Sequence, residues 1–270
     1  GVPMSYSVSQ LLYHPIKSLG AIQTDSFEVA SRGPLFDRRI MLVDSDGQFV
    51  TQRECPTMAL VVVHDTGSVL TLRFKNDHIK LSWPRFSELT NSIMVNVWDD
   101  SVSAQLIDDK AVNMWLSKHL QCEVQLVYMA DNEHRQVDLN YSSPGDQTSF
   151  SDGFPFLLIS QASLDFLSEK VGYELSAKRF RPNIVVKGCE PFEEDTWKKL
   201  RIGNIEFDVV KSCSRCVIPS INLETAEKEK SVIRAMVDFR KVADNIYVGQ
   251  NLIHNNSGFL EVGQEVTVLK

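Results

Sequence analysis

The sequence predicts a mostly-β protein with several helices (an α+β fold), and three observations support this prediction. From Tyr6 to about Ile107, apolar and polar residues alternate with a period of two, which is the pattern of half-buried strands. The dipeptide Asp46-Gly47 joins two such runs and predicts a hairpin, because it tolerates positive φ. A polar, turn-rich segment, Ala130–Asp152, then interrupts the pattern, either as an irregular connection near a domain boundary or as a loop covering a site.

The first module is predicted to consist of short strands followed by one helix. Strands this short, with turn residues between them, are typical of a barrel or a sandwich. The helix is predicted from an apolar stripe over Asp109–Leu120, and one further strand follows it. The predicted strands are Arg39–Val43, Gln48–Thr51, Ala59–His64, Leu70–Phe74, His78–Trp83, Ile93–Trp98, Val102–Leu106 and Val124–Met129.

The second module is predicted to mix strands with two amphipathic helices. The first helix covers Ser160–Val171, with Ser160 or Ser163 as its cap, and the second covers Thr225–Lys241. The region from Ile246 to Leu269 is strand-like, with three glycines as breaks. The predicted strands are Asn183–Val186 and Leu200–Val210, and the breaks are Gly249, Gly258 and Gly263.

Composition narrows the class of protein. A formal charge of −7 argues against nucleic acid or an anionic membrane as the main partner. Five irregularly spaced cysteines are unlike a disulfide framework and favour a reducing compartment. The sequence has no apolar run of membrane-spanning length and no signal-peptide pattern, so we expect a cytoplasmic protein without membrane contact.

The strongest chemical signal is at the end of the strand predicted to finish at Val210. Cys213 and Cys216 follow it, with Lys211 and Arg215 beside them, and these cations favour the thiolate form, which is both a nucleophile and a soft metal ligand. The spacing alone leaves several alternatives open. They are a zinc site, which would need a second ligand pair; a redox pair, which should open a helix; and two thiols without chemistry.

Four short basic segments lie at predicted strand ends or turns. Guanidinium groups and a lysine charge are suited to holding a phosphate or a polar heterocycle, although each segment taken singly is better explained as a solvated turn charge. The four tryptophans are expected to be core anchors and not a stacking platform. The segments are His14–Ser18, Phe36–Arg39, Arg179–Asn183 and Ser214–Arg215, and the tryptophans are Trp83, Trp98, Trp115 and Trp197.

These segments belong to motifs that cover nearly the whole chain. With them, the sequence resembles the MOSC proteins of the YcbX type and, more distantly, the mitochondrial amidoxime-reducing component. The motifs are Tyr13-His14-Pro15-Ile16-Lys17-Ser18, Phe36-Asp37-Arg38, Asp46-Gly47-Gln48-Phe49-Val50-Thr51, Ser151-Asp152-Gly153-Phe154-Pro155-Phe156-Leu157-Leu158, Phe180-Arg181-Pro182-Asn183-Ile184-Val185-Val186, Trp197, Ile202-Gly203, the run from Phe207 to Cys216, and Gly249-Gln250-Asn251-Leu252.

The resemblance implies an N-terminal MOSC β-barrel domain, residues 1–125, packed against a β-barrel-like MOSC domain, residues 126–270, that together bind the molybdenum cofactor (molybdopterin with molybdenum). Cys216 falls on the position of the catalytic thiolate that ligates molybdenum, whereas Cys213 is not expected to be a ligand. The positions implied to contact the cofactor are Lys17, Ser18, Arg38, Gly153, Phe154, Arg181, Asn183, Ser214, Arg215 and Asn251.

The resemblance also implies an activity, namely reductive removal of oxygen from small N-hydroxylated compounds such as hydroxylamines, amidoximes and N-hydroxylated purines. The chain has no cysteine cluster spaced for a [2Fe–2S] centre, so the electron donor is expected to be a ferredoxin or flavoprotein, either separate or fused at the C-terminus. The alternative function is a carrier of the molybdenum cofactor, or a sulfur-transfer module, without reductase activity.

Overall fold

The computed structural model of the protein describes residues 5–83 and 91–270. In these residues the chain forms nineteen strands and three α-helices, which confirms the mostly-β prediction. The helices are α1 (Lys110–Leu120), α2 (Gln161–Val171) and α3 (Lys230–Arg240). The strands are β1 (Tyr6–Tyr13), β2 (Ile22–Thr24), β3 (Ser26–Ala30), β4 (Gly33–Pro34), β5 (Ile40–Val43), β6 (Val61–Asp65), β7 (Val69–Phe74), β8 (Asp77–Ser82), β9 (Ser92–Val97), β10 (Asp100–Leu106), β11 (Gln125–Tyr128), β12 (Phe156–Ser160), β13 (Ile184–Lys187), β14 (Lys199–Ile202), β15 (Ile205–Ser214), β16 (Lys241–Val242), β17 (Asn245–His254), β18 (Gly258–Glu261) and β19 (Glu265–Val268).

Seven strands close into a barrel. They follow the order β12-β13-β1-β19-β14-β15-β17, and β17 pairs back with β12 to complete the ring. Strand β1 comes from the start of the chain and lies between β13 and β19, whereas the other six come from the second half. Inside the barrel, the buried rings of Phe156 and Phe207 pack edge to face with centroids 5.1 Å apart. The barrel therefore depends on pairing between the two ends of the chain.

The first module contains two smaller antiparallel sheets. One has the order β5-β11-β10-β9, and the other is the meander β6-β7-β8. Helix α1 begins after Asp109, whose side chain accepts a hydrogen bond from the Val112 amide, and it packs Leu116 into the core of this module. Strand β11 starts at Gln125 and pairs with β5 and β10. The division into domains between residues 125 and 126 stays a prediction.

The hairpin predicted at Asp46-Gly47 is present as a turn between β5 and residue 48. The Asp44 amide donates to the Gln48 carbonyl, and Gly47 has φ of 75°. A Cβ at Gly47 would lie 2.7 Å from the Met94 carbonyl oxygen, so this position requires glycine for space as well as for conformation. The predicted strand over residues 48–51 is reduced to isolated bridges, one of them between Val43 and Phe49.

Two predicted elements of the second module differ from the structure. The strand predicted over residues 200–210 is a hairpin, β14 and β15, because Gly203 adopts φ of 58° and reverses the chain. The helix predicted from Thr225 begins only at Lys230. Before it, the Asn222 side chain accepts hydrogen bonds from the Glu224 and Thr225 amides, which favours a turn over a first helical turn.

Gly249 was expected to break the last strand region, but it lies inside β17. Its φ is 88°, and opposite it β15 shows irregular register between Ser212 and Ser214. Of the other two predicted breaks, Gly258 begins β18, and Gly263 lies in the turn between β18 and β19. In the described residues, no helix has the length and apolar character needed to cross a membrane.

Candidate functional site

One cavity of about 520 Å³ lies where β15 ends, between the barrel and the first module. Every residue that the resemblance assigned to the cofactor or to catalysis lines this cavity. They come from loops and strand ends far apart in the sequence: Lys17, Ser18, Arg38, Gly153, Phe154, Arg181, Asn183, Ser214, Arg215, Cys216 and Asn251. Their roles stay predictions, but the fold brings them together.

Cys216 is held at the end of β15 by backbone contacts on both sides. Before it, the Arg215 amide donates to the Ile246 carbonyl at 2.7 Å. After it, the chain forms a short 3-10 turn, Ile218–Ser220, and the buried Arg179 guanidinium donates to the Pro219 carbonyl at 3.4 Å. The Cys216 thiol is therefore exposed on a fixed backbone, as a ligand or nucleophile requires.

Cys213 differs from Cys216 although it is only three residues away. It is still part of β15 and is half-buried, and burial raises the pKa of its thiol. All five cysteines are free. In the described part of the chain, no group of three or more His, Cys, Asp or Glu side chains is arranged to hold a metal ion.

The cavity is cationic although the chain carries a charge of −7. Six basic side chains line it against two carboxylates, Asp99 and Asp152, so it is suited to an anion. Arg53 and Lys211 thus join the four basic residues expected there. The basic side chains are Lys17, Arg38, Arg53, Arg181, Lys211 and Arg215.

Two guanidinium groups of the cavity have hydrogen-bond donors without an acceptor among the described residues. Arg215 donates through Nε to the Val248 carbonyl at 2.9 Å and through Nη1 to the Phe180 carbonyl at 2.7 Å. Its Nη2, and the Nη2 of Arg181, are buried and lack a hydrogen-bond partner among the described residues. Burial and the neighbouring Arg38 lower the pKa of Arg181 to about 9. Buried donors without partners are costly, and an anion in the cavity would satisfy them.

Backbone strain is concentrated at the same site. Ser18, Arg38 and Arg181 all have left-handed φ, at 71°, 48° and 57°. This conformation is uncommon for residues other than glycine and costs on the order of 1–3 kcal/mol each where the surroundings enforce it. In Arg38 it is enforced by backbone pairing, since its amide donates to His14 and its carbonyl accepts from Phe150. Strain of this kind is typical of ligand sites.

Asp37 and His14 form a buried hydrogen-bonded group that contacts Arg38. Asp37 is buried and accepts from the His14 amide at 2.7 Å and from Arg38 Nη1 at 2.9 Å. Burial opposes ionisation of Asp37, but Arg38 and His14 outweigh it and lower its pKa to about 2. The His14 ring is fully buried, and burial together with Arg38 and Arg181 holds its pKa well below 6.5. Asp37 is thus an anion that orients Arg38, and His14 is neutral.

The pairing between Lys17 and Asp152 was not predicted from the sequence. Asp152 Oδ1 accepts from Lys17 Nζ at 2.7 Å and from the Trp98 indole at 3.0 Å. Burial lowers the pKa of Lys17 to about 8, although Asp152 acts in the opposite direction. The Asp152 side chain is 64% exposed; desolvation by the cavity walls favours its neutral form, but Lys17 and Trp98 hold its pKa well below the usual range. In the sequence, the one indication that Asp152 belongs to the site was its position next to Gly153 in the motif Ser151-Asp152-Gly153-Phe154.

Asn183 and Gly153 contribute to the cavity in different ways. The Asn183 amide is fully buried, accepts from the Leu157 backbone at 3.0 Å and donates to the Leu12 carbonyl at 3.2 Å. It therefore joins β12 to β1 and supports the cavity from within the barrel. A Cβ added at Gly153 would meet nothing within 4 Å, so the space beside this residue is open.

The tryptophans divide between core and cavity. Trp197 is only 3% exposed and is a core anchor as predicted. The prediction is wrong for Trp98, which is 52% exposed and lines the cavity. Trp98 lies in the turn between β9 and β10, where the chain reverses and the side chain is not directed into the core.

Comparisons with known proteins agree with this architecture. Residues 5–123 match the MOSC N-terminal beta barrel domain, and residues 145–267 match the MOSC domain. The chain is 30% identical to mitochondrial amidoxime-reducing component 1 of Danio rerio, over 96% of this chain and 83% of that protein. The identity to the Homo sapiens protein of the same name is 28%, over 97% and 83%. It is 31% to the molybdenum cofactor sulfurase of Caenorhabditis elegans, over 97% of this chain and 36% of that protein.

Proposed function

Because this chain belongs to the MOSC family, we propose that it is a molybdenum-cofactor-dependent oxidoreductase that reduces small N-hydroxylated compounds. One observation carries the proposal: all the residues predicted to hold the cofactor line a single cationic cavity together with an exposed thiol. Relatives that match most of this chain are named amidoxime-reducing components, which supports the substrate class. Cytoplasmic location and a ferredoxin or flavoprotein electron donor belong to the same proposal.

The residues present fit the chemistry of the cofactor. The Nη2 donors of Arg181 and Arg215, which have no partner among residues 5–83 and 91–270, suit its phosphate, and Arg38 lies close to Arg181 through a contact of 3.4 Å to its carbonyl. The Cys216 thiolate is a soft ligand of the kind that molybdenum accepts. When bound, the cofactor would supply the two-electron redox chemistry that releases the oxygen of an N-hydroxyl group as water.

The protein's own residues have three tasks in this proposal. Cys216 fixes the metal, because its backbone is held between β15 and the following turn. The arginines hold and orient the anionic end of the cofactor. Lys17 keeps a proton at Nζ next to the cavity, and with a pKa of about 8 it can release that proton more readily than an ordinary lysine.

The first experiment measures molybdenum and pterin per chain in protein from a host that makes the cofactor. We expect both in the wild type, with molybdenum lost and pterin kept in Cys216→Ala, because the arginines remain. Cys213→Ala is the matched control and should keep its molybdenum. With a reduced dye as electron donor, the wild type should reduce benzamidoxime and Cys216→Ala should not. Full molybdenum content in Cys216→Ala would disprove the ligand assignment.

A second candidate function is supported by the exposed Cys216 and by the similarity to a molybdenum cofactor sulfurase. In this case the protein would carry the cofactor or transfer sulfur without reducing a substrate. The dye assay separates the two functions. Protein that holds molybdenum and pterin but reduces no hydroxylamine, amidoxime or N-hydroxylated purine would favour the carrier.

A further inference from the structure

Trp98 is the exposed aromatic residue of the cavity that neither the sequence motifs nor the proposed mechanism explains. Its side chain is 52% exposed although it lines a concave site. Burying a large apolar ring stabilises a fold, so a ring that stays exposed to solvent inside a cavity is typical of a ligand contact. Its backbone also adopts the left-handed region, with φ of 53°, so the position is held at some cost.

The Trp98 ring is fixed from several directions. Its indole N–H donates to Asp152 Oδ1 at 3.0 Å, and the Arg53 guanidinium lies over the ring at 4.3 Å. Phe49 packs against it edge-on, with centroids 5.5 Å apart. A ring restrained in this way loses little freedom when a ligand stacks on it, which favours binding.

These contacts link the ring to Lys17, the residue proposed to supply a proton. Asp152 Oδ1 accepts from both Trp98 and Lys17, so the indole and the Lys17 ammonium share one carboxylate oxygen. A group stacked on Trp98 therefore lies beside the Lys17–Asp152 pair. When the planar end of a substrate contacts the indole, the Lys17–Asp152 pair would lie close to the other end, which carries the reacting group.

We propose that Trp98 is a specificity-determining residue: its exposed indole stacks on the planar aromatic group of the N-hydroxylated substrate and favours aromatic over aliphatic compounds. This inference rests on the proposed function for its substrate class. Stacking on a fixed ring contributes about 0.5–1.5 kcal/mol beyond the burial of area, so the part of the preference that depends on Trp98 should be about two- to ten-fold in Kd.

The test is calorimetric binding of two probes to the protein loaded with cofactor. Benzamidoxime carries an aromatic ring, and acetamidoxime has a methyl group in its place. We expect wild-type protein to bind benzamidoxime at least about two-fold more tightly. Trp98→Ala should lose this preference, and Trp98→Phe should keep most of it because a ring remains. Phe259→Ala is the matched control, since Phe259 is an exposed aromatic residue (66%) that does not line the cavity.

Molybdenum content and Tm are measured for each variant, so that loss of the cofactor or of folding is recognised. If Trp98→Ala is unstable, Trp98→Leu replaces it. An unchanged preference in a folded, loaded variant lacking the ring overturns the inference, as does equal weakening of both probes or the absence of any preference in the wild type. Binding does not require turnover. Trp98-dependent binding without dye-driven reduction would therefore refute the proposed function and leave the stacking role intact.

Discussion

The substitution Arg181→Asn tests two effects of the Arg181 guanidinium separately: its effect on the free energy of unfolding and its effect on anion binding. The substitution removes a guanidinium whose Nη2 is buried without a partner among the described residues. Asparagine is the suitable neutral replacement because φ at this position is 57°, and Asn adopts the left-handed region more readily than most residues. The Arg181 carbonyl, which accepts from Arg38, is retained. The change therefore acts mainly on the anion-binding charge.

The expected effects on binding and on stability have opposite signs. A hydrogen bond from a charged group contributes about 1.5–3 kcal/mol, so loss of one such bond should weaken anion binding by about 10- to 150-fold. In the free protein, burial and Arg38 already disfavour the charge of Arg181 and lower its pKa. Removing it should therefore leave the free energy of unfolding unchanged or higher.

Inorganic pyrophosphate is the probe for the free protein, with calorimetry for Kd and chemical denaturation for stability. Arg181→Lys keeps the charge without the guanidinium fork and should lie between wild type and Arg181→Asn. Arg201→Gln is the control. Arg201 is exposed on β14 and does not line the cavity, so this substitution removes the same charge from a different part of the surface. Pyrophosphate affinity that is equal in Arg181→Asn and wild type would refute the reasoning.

Two further predictions concern stability. Phe207→Ala should lower the free energy of unfolding by about 3–5 kcal/mol, because the ring is fully buried in the barrel, whereas the exposed Phe259→Ala should have a minor effect in the same denaturation assay. Burial lowers the pKa of His14 below 6.5, so the unfolded chain binds more protons and wild-type stability should fall as pH drops below 6.5. His14→Gln should flatten this part of the stability profile, whereas His64→Gln, at an exposed position, should not. If the profile of His14→Gln runs parallel to that of the wild type, the His14 ring is not buried and neutral.

Local patterns in the sequence predicted local structure well. The alternation before residue 107, the Asp46-Gly47 turn, the helix predicted over Asp109–Leu120 and the cap at Ser160 all depend on residues close in sequence. Closure of the barrel depends instead on β1 entering between β13 and β19 and on β17 pairing with β12. Periodicity shows that a strand exists but does not identify its partner, so this pairing was not predictable from the pattern.

The site was predictable only in part, for the same reason. Each basic turn alone had an ordinary explanation as solvated charge, and only the resemblance joined them into one site. The Lys17–Asp152 pair spans 135 residues of sequence, so no local pattern indicates it. Trp98 was misassigned because aromatic residues are usually buried, although its place just before Asp99 and Asp100 indicated a turn.

The cavity combines features that oppose folding: left-handed residues, guanidinium donors without a partner in the described part of the chain, and basic groups whose pKa values are lowered by burial. A bound anion would relieve the last two of these at once, because it neutralises the charges and accepts from the donors. Any ligand that binds only the folded state stabilises it by mass action. Cofactor binding and folding should therefore be linked here, so the loaded protein should unfold at a higher Tm than the free protein. Arg181→Asn should reduce that difference by lowering the Tm of the loaded form, and not by raising the Tm of the free form alone.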